Sequence, residues 1–338
     1  MAPSREMPVL DASALMKERI GAIRAYHEKT GIARAEIDVS GGVDSATLLG
    51  LLAEAIGPDR ITAAYLSIHS SETSHQQAHA AAEAFGVALV DLDLTPAFEL
   101  ALFAMRKALH SAGFDRAAID QRCCDDNTVL GSFRSCFRAP IGRGLNRLSG
   151  GGIRHGTGNE CEDRFIRFYQ KGGDGEVDTN PLAMLAKGEI YQLACALGVP
   201  RAIIDATPTP DLAGPAASHK VSDEAELHQL TGLHWTYSRV DGRTGSYVKT
   251  GTIERMSRFL DAIDDGLFAS KAANPQGYVP KARSHFPDLD DSAIEAFLAS
   301  ARRLEGQTRH KANPNCPMLG SRIGLLRTDL ISNELPRV

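Results

Sequence analysis

Short apolar runs alternate with amphipathic segments through the first third of the chain. Strand-like runs lie at 35–40, 61–68 and 87–94, and helical patterns flank them at 11–30, 45–56, 72–85 and 96–111. Such β-α units at short spacing form a parallel sheet with helices on its faces. We therefore expect an α/β fold with a doubly wound, mostly parallel sheet and helical C-terminal additions. Ligands of such sheets bind at the carboxyl ends of the strands.

The rest of the chain carries weaker patterns. The sequence predicts a loop at 113–127, and then a helix at 129–138 that ends before Pro140, because the residue before a proline disfavours helical backbone. We expect residues 1–338 to form a single domain. Three segments depart from the regular pattern, and we interpret them as a mobile lid, an insertion and a C-terminal tail, at 205–225, 232–250 and 305–338.

The composition argues against several classes of protein. The chain has 37 Lys and Arg against 42 Asp and Glu, a net charge of −5, whereas nucleic-acid binders usually carry a basic excess. It has no apolar run of membrane-spanning length and no signal-peptide pattern at the N-terminus, so we expect a cytoplasmic protein without membrane or nucleic-acid partners. Its six cysteines form no C-x-x-C pair, which argues against a zinc ribbon.

The strongest chemical signal is the hexapeptide S-G-G-V-D-S at 40–45, between a predicted strand and a predicted helix. Its glycines allow a tight turn, and the helix that follows offers free N–H groups and a positive dipole end to an anion. The two serine hydroxyls add donors, and Asp44 can hold Mg²⁺ against phosphates. The segment is neither a Walker A loop nor a G-x-G-x-x-G turn. It resembles the pyrophosphate loop of the N-type ATP pyrophosphatases, which adenylate their substrates.

A second block narrows the resemblance. The chain has G-T-G-N-E-C-E at 156–162, F-Y-Q-K-G-G-D-G-E-V-D at 168–178, N-P at 180–181 and then Lys187. This pattern is similar to the signature of the ammonia-dependent NAD synthases, a family of the N-type ATP pyrophosphatases with an adenine nucleotide alpha hydrolase-like fold. The likeness covers about residues 30–225, with a weaker match in R-H-K-A-N-P at 309–314.

The resemblance implies a ligase that uses ATP to amidate deamido-NAD to NAD through an acyl-adenylate, with release of AMP and pyrophosphate. The implied catalytic residues are Asp44, Glu162 and Lys187, of which Asp44 and Glu162 would hold Mg²⁺. The implied ATP and pyrophosphate site comprises Ser40, Gly41, Gly42, Val43, Asp44, Ser45, Thr157 and Lys187. The implied deamido-NAD site comprises Arg138, Lys171, Asp174, Asp178, His310 and Lys311, and the implied lid residues are Asp211, Asp223 and Glu224.

Outside the motif, several of these residues have ordinary structural interpretations. Glu162 could begin a solvated helix, and Asp174 and Asp178 suit a glycine-rich turn. Arg138 could belong to a charged helix face, and the 309–311 segment to an exposed basic tail. The sequence alone leaves these alternatives open.

The resemblance also implies partners. No glutaminase region is recognisable, so we expect the protein to use free ammonia or ammonia from a separate glutaminase, and to form a homodimer. The chain departs from the family near the acceptor side of the site, at Gly172, at His228 and in the 232–250 insertion. Two alternatives therefore stay open: a related amide ligase for another carboxylate, and a nucleotide-binding protein without turnover. A tRNA-modifying relative is disfavoured by the net charge.

Two histidines, His75 and His79, lie four residues apart in the helix predicted at 72–85. This spacing puts both rings on one helix face and permits metal binding. We interpret them instead as part of a partly exposed helix face.

Overall fold

The central sheet has four parallel strands. The computed structural model describes residues 11–125, 127–209, 222–263, 266–269 and 273–311. The strands are Ala35–Asp38 (β1), Ile61–Ser67 (β2), Leu89–Asp93 (β3) and Ile153–His155 (β4). Their order is β3-β2-β1-β4, and all three neighbouring pairs are parallel. The predicted parallel sheet is confirmed.

The helices connect these strands and continue beyond them. Those of the sheet region are Ala12–Thr30 (α1), Val43–Ile56 (α2), Glu72–Ala84 (α3), Thr95–Ser111 (α4), Arg116–Asp125 (α5), Asn127–Leu148 (α6), Glu160–Asp163 (α7), Lys187–Leu197 (α8) and Arg201–Ile204 (α9). The C-terminal helices are Asp223–Thr231 (α10), Thr252–Ala262 (α11), Gly266–Ala269 (α12), Val279–Ala282 (α13) and Asp291–Thr308 (α14). Within the described residues, no helix is both long and apolar enough to cross a membrane.

Strand β2 explains why helices pack on both faces of the sheet. Ala63 and Tyr65 lie in a core with the buried faces of α1, α2 and α8. Ala64 and Leu66 lie in a second core, against Phe98 of α4 and apolar side chains of α6. Successive side chains of a strand point to opposite faces, so a continuous apolar run such as this one needs cover on both sides.

Two predictions between β3 and β4 are wrong. The segment predicted as a loop contains α5, where Asp115 accepts a hydrogen bond from the Ala118 N–H at 2.7 Å and Ile119 is buried. The next helix, α6, does not end before Pro140 but continues through it. Proline inside a helix costs about 3 kcal/mol, and the packing of Phe133 and Phe137 with Phe98 offsets that cost.

The C-terminal helices build a third core, centred on the buried side chains of Trp235, Phe259 and Phe286. The segment interpreted as an insertion joins this core to the sheet region through a two-stranded antiparallel hairpin, Arg239–Val240 (β5) and Tyr247–Lys249 (β6). A Cβ at Gly188, in the first turn of α8, would lie 2.3 Å from the Tyr247 hydroxyl. The hairpin is thus packed tightly against the helix that carries Lys187.

The first core generates a stability prediction. Leu49 of α2 is fully buried, so Leu49→Ala should lower the free energy of unfolding by about 2–5 kcal/mol. Leu148→Ala removes the same atoms from a side chain that is 87% exposed. This substitution should change the free energy of unfolding by less than about 0.5 kcal/mol. Urea denaturation measures both. Equal losses in the two variants would contradict this placement of the core.

Candidate active site

A cavity of about 1200 Å³ opens at the carboxyl ends of β1 and β2. This is the edge at which ligands of parallel α/β sheets bind. Its wall includes the turn between β1 and α2, the start of α3 and part of α6. Lys187 of α8 and Asp223 of α10 complete it. Five of the six residues of the turn at 40–45, which is predicted to hold pyrophosphate, line this cavity: Ser40, Gly41, Gly42, Val43 and Asp44.

The sixth, Ser45, holds the turn in shape. Its hydroxyl donates to the Gly42 carbonyl at 3.0 Å and lies 3.2 Å from the Ser40 hydroxyl. The Ser40 hydroxyl also accepts a hydrogen bond from the Gly42 N–H. Gly42 is the N-cap of α2 and supplies no side-chain cap. The first N–H groups of a helix have no partners within the helix, so this end of α2 suits an anion.

Gly41 is required by both its conformation and its surroundings. Its φ is +87°, in the left-handed region, and a Cβ there would lie 2.4 Å from the Ser74 carbonyl oxygen. A side chain at this position would therefore be strained and would push α3 away from the turn. The glycine lets α3 pack directly against the turn at 40–45.

A buried ammonium joins the predicted catalytic residues. Lys187 Nζ lies 2.5 Å from Asp44 Oδ2 and 2.9 Å from Glu162 Oε1, and its side chain is only 2% exposed. Asn159 donates to Asp44 Oδ1 at 3.0 Å and caps α7 by accepting from the Glu162 N–H. The three predicted catalytic residues thus come together. Asn159, which sequence reasoning quoted in the motif without giving it a role, positions two of them.

The charges of this cluster depend on one another. Burial raises the pKa of the Glu162 carboxyl to about 7, although the Lys187 ammonium opposes the shift. Burial also disfavours the charged form of Lys187, but the carboxylates of Asp44 and Glu162 outweigh it and hold the lysine pKa well above its usual value. Lys187 therefore stays protonated near neutral pH, while Glu162 titrates there.

The same two carboxylates fit a magnesium ion. Asp44 and Glu162 line the cavity and present hard oxygen atoms to a single cation, in this structure the Lys187 ammonium. Mg²⁺ is usually bound through one or two carboxylates, with water and substrate phosphates as its other ligands. The donor set and the adjoining cavity suit such a site.

Residues of the predicted lid and of the predicted insertion lie close to Lys187. The Tyr237 ring lies 5.4 Å from Lys187 Nζ, and its hydroxyl lies 3.3 Å from Asp223 Oδ2. Asp223 lines the cavity, and burial raises the pKa of its carboxyl. Sequence reasoning missed Tyr237 because the segment around it looked inserted. Glu224, the residue after Asp223, does not line the cavity. Its carboxylate accepts a hydrogen bond from the Tyr237 N–H.

An ion triad forms part of the cavity floor. The Arg154 guanidinium lies 2.5 Å from both Glu36 Oε1 and Asp38 Oδ2, and Asp38 and Arg154 line the cavity. Burial, reinforced by Asp38, raises the pKa of the Glu36 carboxyl to about 8. Sequence reasoning missed this triad because its members lie on different strands, β1 and β4.

Some residues predicted to bind deamido-NAD or ATP also line the cavity. These are Arg138, Thr157, Asp174 and Lys311. Arg138 donates to the Leu66 carbonyl, and Asp174 accepts from the Ser135 hydroxyl and the Gln170 N–H. Lys311 Nζ donates to the Tyr169 carbonyl at 2.8 Å. These contacts hold the side chains at the wall, where their assignment stays a prediction.

Two other predicted residues are placed elsewhere. Lys171 is exposed and Asp178 is paired with Arg143 at 2.9 Å, and neither belongs to the cavity lining. Asp211 and the His310 side chain lie outside the described part of the chain. Their roles also remain predictions.

Known proteins match most of the chain. A family model described as NAD synthase matches residues 15–253. An NH₃-dependent NAD⁺ synthetase of Methanosarcina acetivorans is 25% identical over 92% of this chain and all of the relative. One of Halobacterium salinarum is 29% identical over 90% of this chain and 95% of the relative.

Solved structures agree on the fold. An NMN synthetase of Francisella tularensis superposes with a TM-score of 0.61 at 18% identity, over 91% of this chain and all of that one. This likeness, together with the parallel sheet, confirms the predicted adenine nucleotide alpha hydrolase-like fold. Because the NAD synthase model matches well over half of this chain, the chain belongs to the NAD synthase family.

Proposed function

We propose that this protein is a ligase that amidates deamido-NAD to NAD with ammonia and ATP. Membership of the NAD synthase family supports this activity. The observation that carries it is the cluster of Asp44, Glu162 and Lys187 beside an uncapped helix end, in one cavity. ATP is a substrate of the reaction, and the acceptor and ammonia are small molecules.

The turn at 40–45 would bind the phosphates that leave as pyrophosphate. The N–H groups at the start of α2 point toward the cavity end of the helix, and the helix dipole favours negative charge there. Ser40 supplies a hydroxyl beside them. A nicotinate carboxylate oxygen attacks the α-phosphorus of ATP, and the bond from that phosphorus to the bridging oxygen breaks. Positioning and electrostatics suffice for such a step.

Lys187 would neutralise the charge that develops on the leaving phosphates. The ammonium is buried, permanently charged and fixed by Asp44 and Glu162, so it needs little reorganisation during the reaction. The Tyr237 ring lies 5.4 Å from the same ammonium. A Mg²⁺ ion held by Asp44 and Glu162 would add Lewis-acid stabilisation of the same phosphates when bound.

The acyl-adenylate then reacts with ammonia. The nitrogen lone pair attacks the acyl carbon, the bond to the AMP oxygen breaks, and the nitrogen loses a proton to solvent. Water would compete in this step, so the site must exclude it. Asp211, Asp223 and Glu224 remain our candidates for the lid, and Asp223 already lines the cavity. For the acceptor we retain Arg138, Lys171, Asp174, Asp178, His310 and Lys311.

We also propose a cytoplasmic homodimer that takes ammonia free or from a separate glutaminase. Helix α4 and the residues around it carry exposed large apolar side chains, including Leu100, Phe103 and Phe114. Apolar patches of this kind mark protein interfaces, which supports a second copy as the partner.

A product assay tests the activity. With ATP, Mg²⁺, ammonium and deamido-NAD, we expect NAD to form together with equal amounts of AMP and pyrophosphate. Asp44→Ala removes one of the two carboxylates that hold Lys187, and should lower the rate by about a hundredfold or more. Nicotinate mononucleotide, offered in place of deamido-NAD, should give much less AMP. Faster turnover of the mononucleotide would overturn the proposed acceptor.

The role of the turn can be separated from backbone strain. Gly41→Ala should abolish measurable ATP binding, because the new Cβ would clash with the Ser74 carbonyl and distort the turn. Gly57 has a similar φ of +89° with nothing near its Cβ position, so Gly57→Ala introduces the strain alone and should leave ATP binding intact. Isothermal titration with ATP measures both variants. If both bind ATP equally well, the turn does not form the phosphate site.

The raised pKa of Glu162 predicts how metal affinity depends on pH. A carboxyl with a pKa of about 7 is mostly neutral at pH 6 and mostly ionised at pH 8, and metal ligands must be deprotonated. Without ATP, Mn²⁺ used as a probe should therefore bind roughly tenfold more weakly at pH 6 than at pH 8. Electron paramagnetic resonance of free Mn²⁺ measures this. Both forms are measured in His79→Gln protein, so that the histidine group of His75, His79 and Asp91 adds no second pH-dependent site. In Glu162→Gln the difference should vanish, and its persistence would exclude Glu162 as the titrating ligand.

A further inference from the structure

A second group of metal-binding side chains lies outside the cavity. His75 Nε2 and His79 Nε2 lie 2.6 Å and 2.9 Å from the same oxygen, Asp91 Oδ2. The three candidate ligand atoms lie within 4.8 Å of one another. Two imidazoles and a carboxylate thus converge on one point of the surface.

Regular secondary structure fixes the positions of these ligands. His75 and His79 are four residues apart on α3, so they share one helix face. Asp91 is in β3, the edge strand, where it pairs with Tyr65 of β2. The site therefore joins α3 to the edge of the sheet. Because both elements are regular, the spacing of the ligands does not depend on a loop.

The surroundings also resemble those of a metal site. Glu72 Oε1 lies 3.9 Å from His75 Nδ1, the ring nitrogen that faces away from Asp91. This distance is too long for a hydrogen bond, and the same oxygen accepts from the Gln76 amide at 2.9 Å, so Glu72 acts on His75 through its charge. The side chains of His75, His79 and Asp91 are 38%, 48% and 36% exposed, so water can complete the coordination of an ion.

We propose that His75, His79 and Asp91 bind a divalent transition-metal ion, with zinc as the fitting example. Imidazole nitrogen suits zinc and its neighbours in the periodic table, whereas Mg²⁺ prefers oxygen ligands alone. Three protein ligands with an open fourth position are a common arrangement for zinc. The site is thus chemically distinct from the pair of carboxylates, Asp44 and Glu162, in the cavity.

Protons compete with the metal for these ligands. The hydrogen bond to Asp91 raises the pKa of His75, and hydrogen bonds from the two histidines lower the pKa of Asp91. The charged groups around the site are Glu72 on α3 and Asp91 on β3, with the Tyr65 ring of β2 beside His75. In the absence of an ion, these hydrogen bonds already hold the three side chains together.

The site lies next to the catalytic cavity without forming part of it. The Ser74 carbonyl that contacts Gly41 belongs to the residue before His75, but neither histidine nor Asp91 lines the cavity. A metal here would tie α3 to β3, one turn from the phosphate-binding turn. Substitution of His79 should accordingly leave amidation in zinc-free buffer unchanged.

Isothermal titration of the full chain with Zn²⁺ tests the proposal, with millimolar Mg²⁺ present to occupy the hard-ligand site. We expect one zinc ion per chain. His79→Gln and Asp91→Asn should each weaken its binding by at least about tenfold, and Glu72→Gln by a smaller factor. Co²⁺ added instead should give a visible absorption band that both ligand variants abolish.

Matched controls exclude other ligands. His110 is an exposed histidine of α4, so His110→Gln should keep full zinc affinity, as should the double variant Cys123→Ser/Cys124→Ser. The proposal is overturned if no zinc binds, if His79→Gln and Asp91→Asn bind it as wild type does, or if only the cysteine variant loses it. None of these results depends on whether the protein makes NAD.

Discussion

The buried ammonium of Lys187 is the interaction on which the site depends. Its charge is removed from water and balanced by Asp44 on α2 and Glu162 on α7. Breaking a buried ion pair by removing one partner is strongly destabilising, because it leaves an uncompensated charge. The start of α8, the start of α2 and the 156–162 block must therefore meet at this point. The position of the turn at 40–45 follows from it.

The same charge balance shows that the cluster alone offers no net positive charge to a polyphosphate. Two carboxylates and one ammonium leave a small net negative charge when Glu162 is ionised, and none when it is protonated. A positive potential for phosphates then comes from the uncapped start of α2. A divalent ion on the carboxylates would add to that potential. Because the pKa of Glu162 is about 7, the net charge of the cluster changes near physiological pH.

The sequence was most informative where local pattern and chemistry coincide. The alternation at 35–111 predicted the parallel sheet, and S-G-G-V-D-S predicted a turn at its carboxyl edge. Each strand, helix and turn in this region is indicated by residues that are close together in the sequence. Helix α5 was not predicted because its polar residues show no helical period, and among its side chains whose burial is described only Ile119 is buried. The sequence did not predict the Glu36–Arg154–Asp38 triad, because the triad joins strands more than a hundred residues apart in the chain.

The 232–250 segment shows why a departure from a family pattern is a poor guide to what a segment does. It looked inserted, yet Tyr237 lies over Lys187 and Tyr247 contacts the first turn of α8. The Tyr247 hydroxyl also donates to buried Glu254 at 3.0 Å. These contacts pack the segment against the lysine and the helix that carries it. What this segment does follows from the side chains that it places beside the buried charge, which a comparison of motifs does not detect.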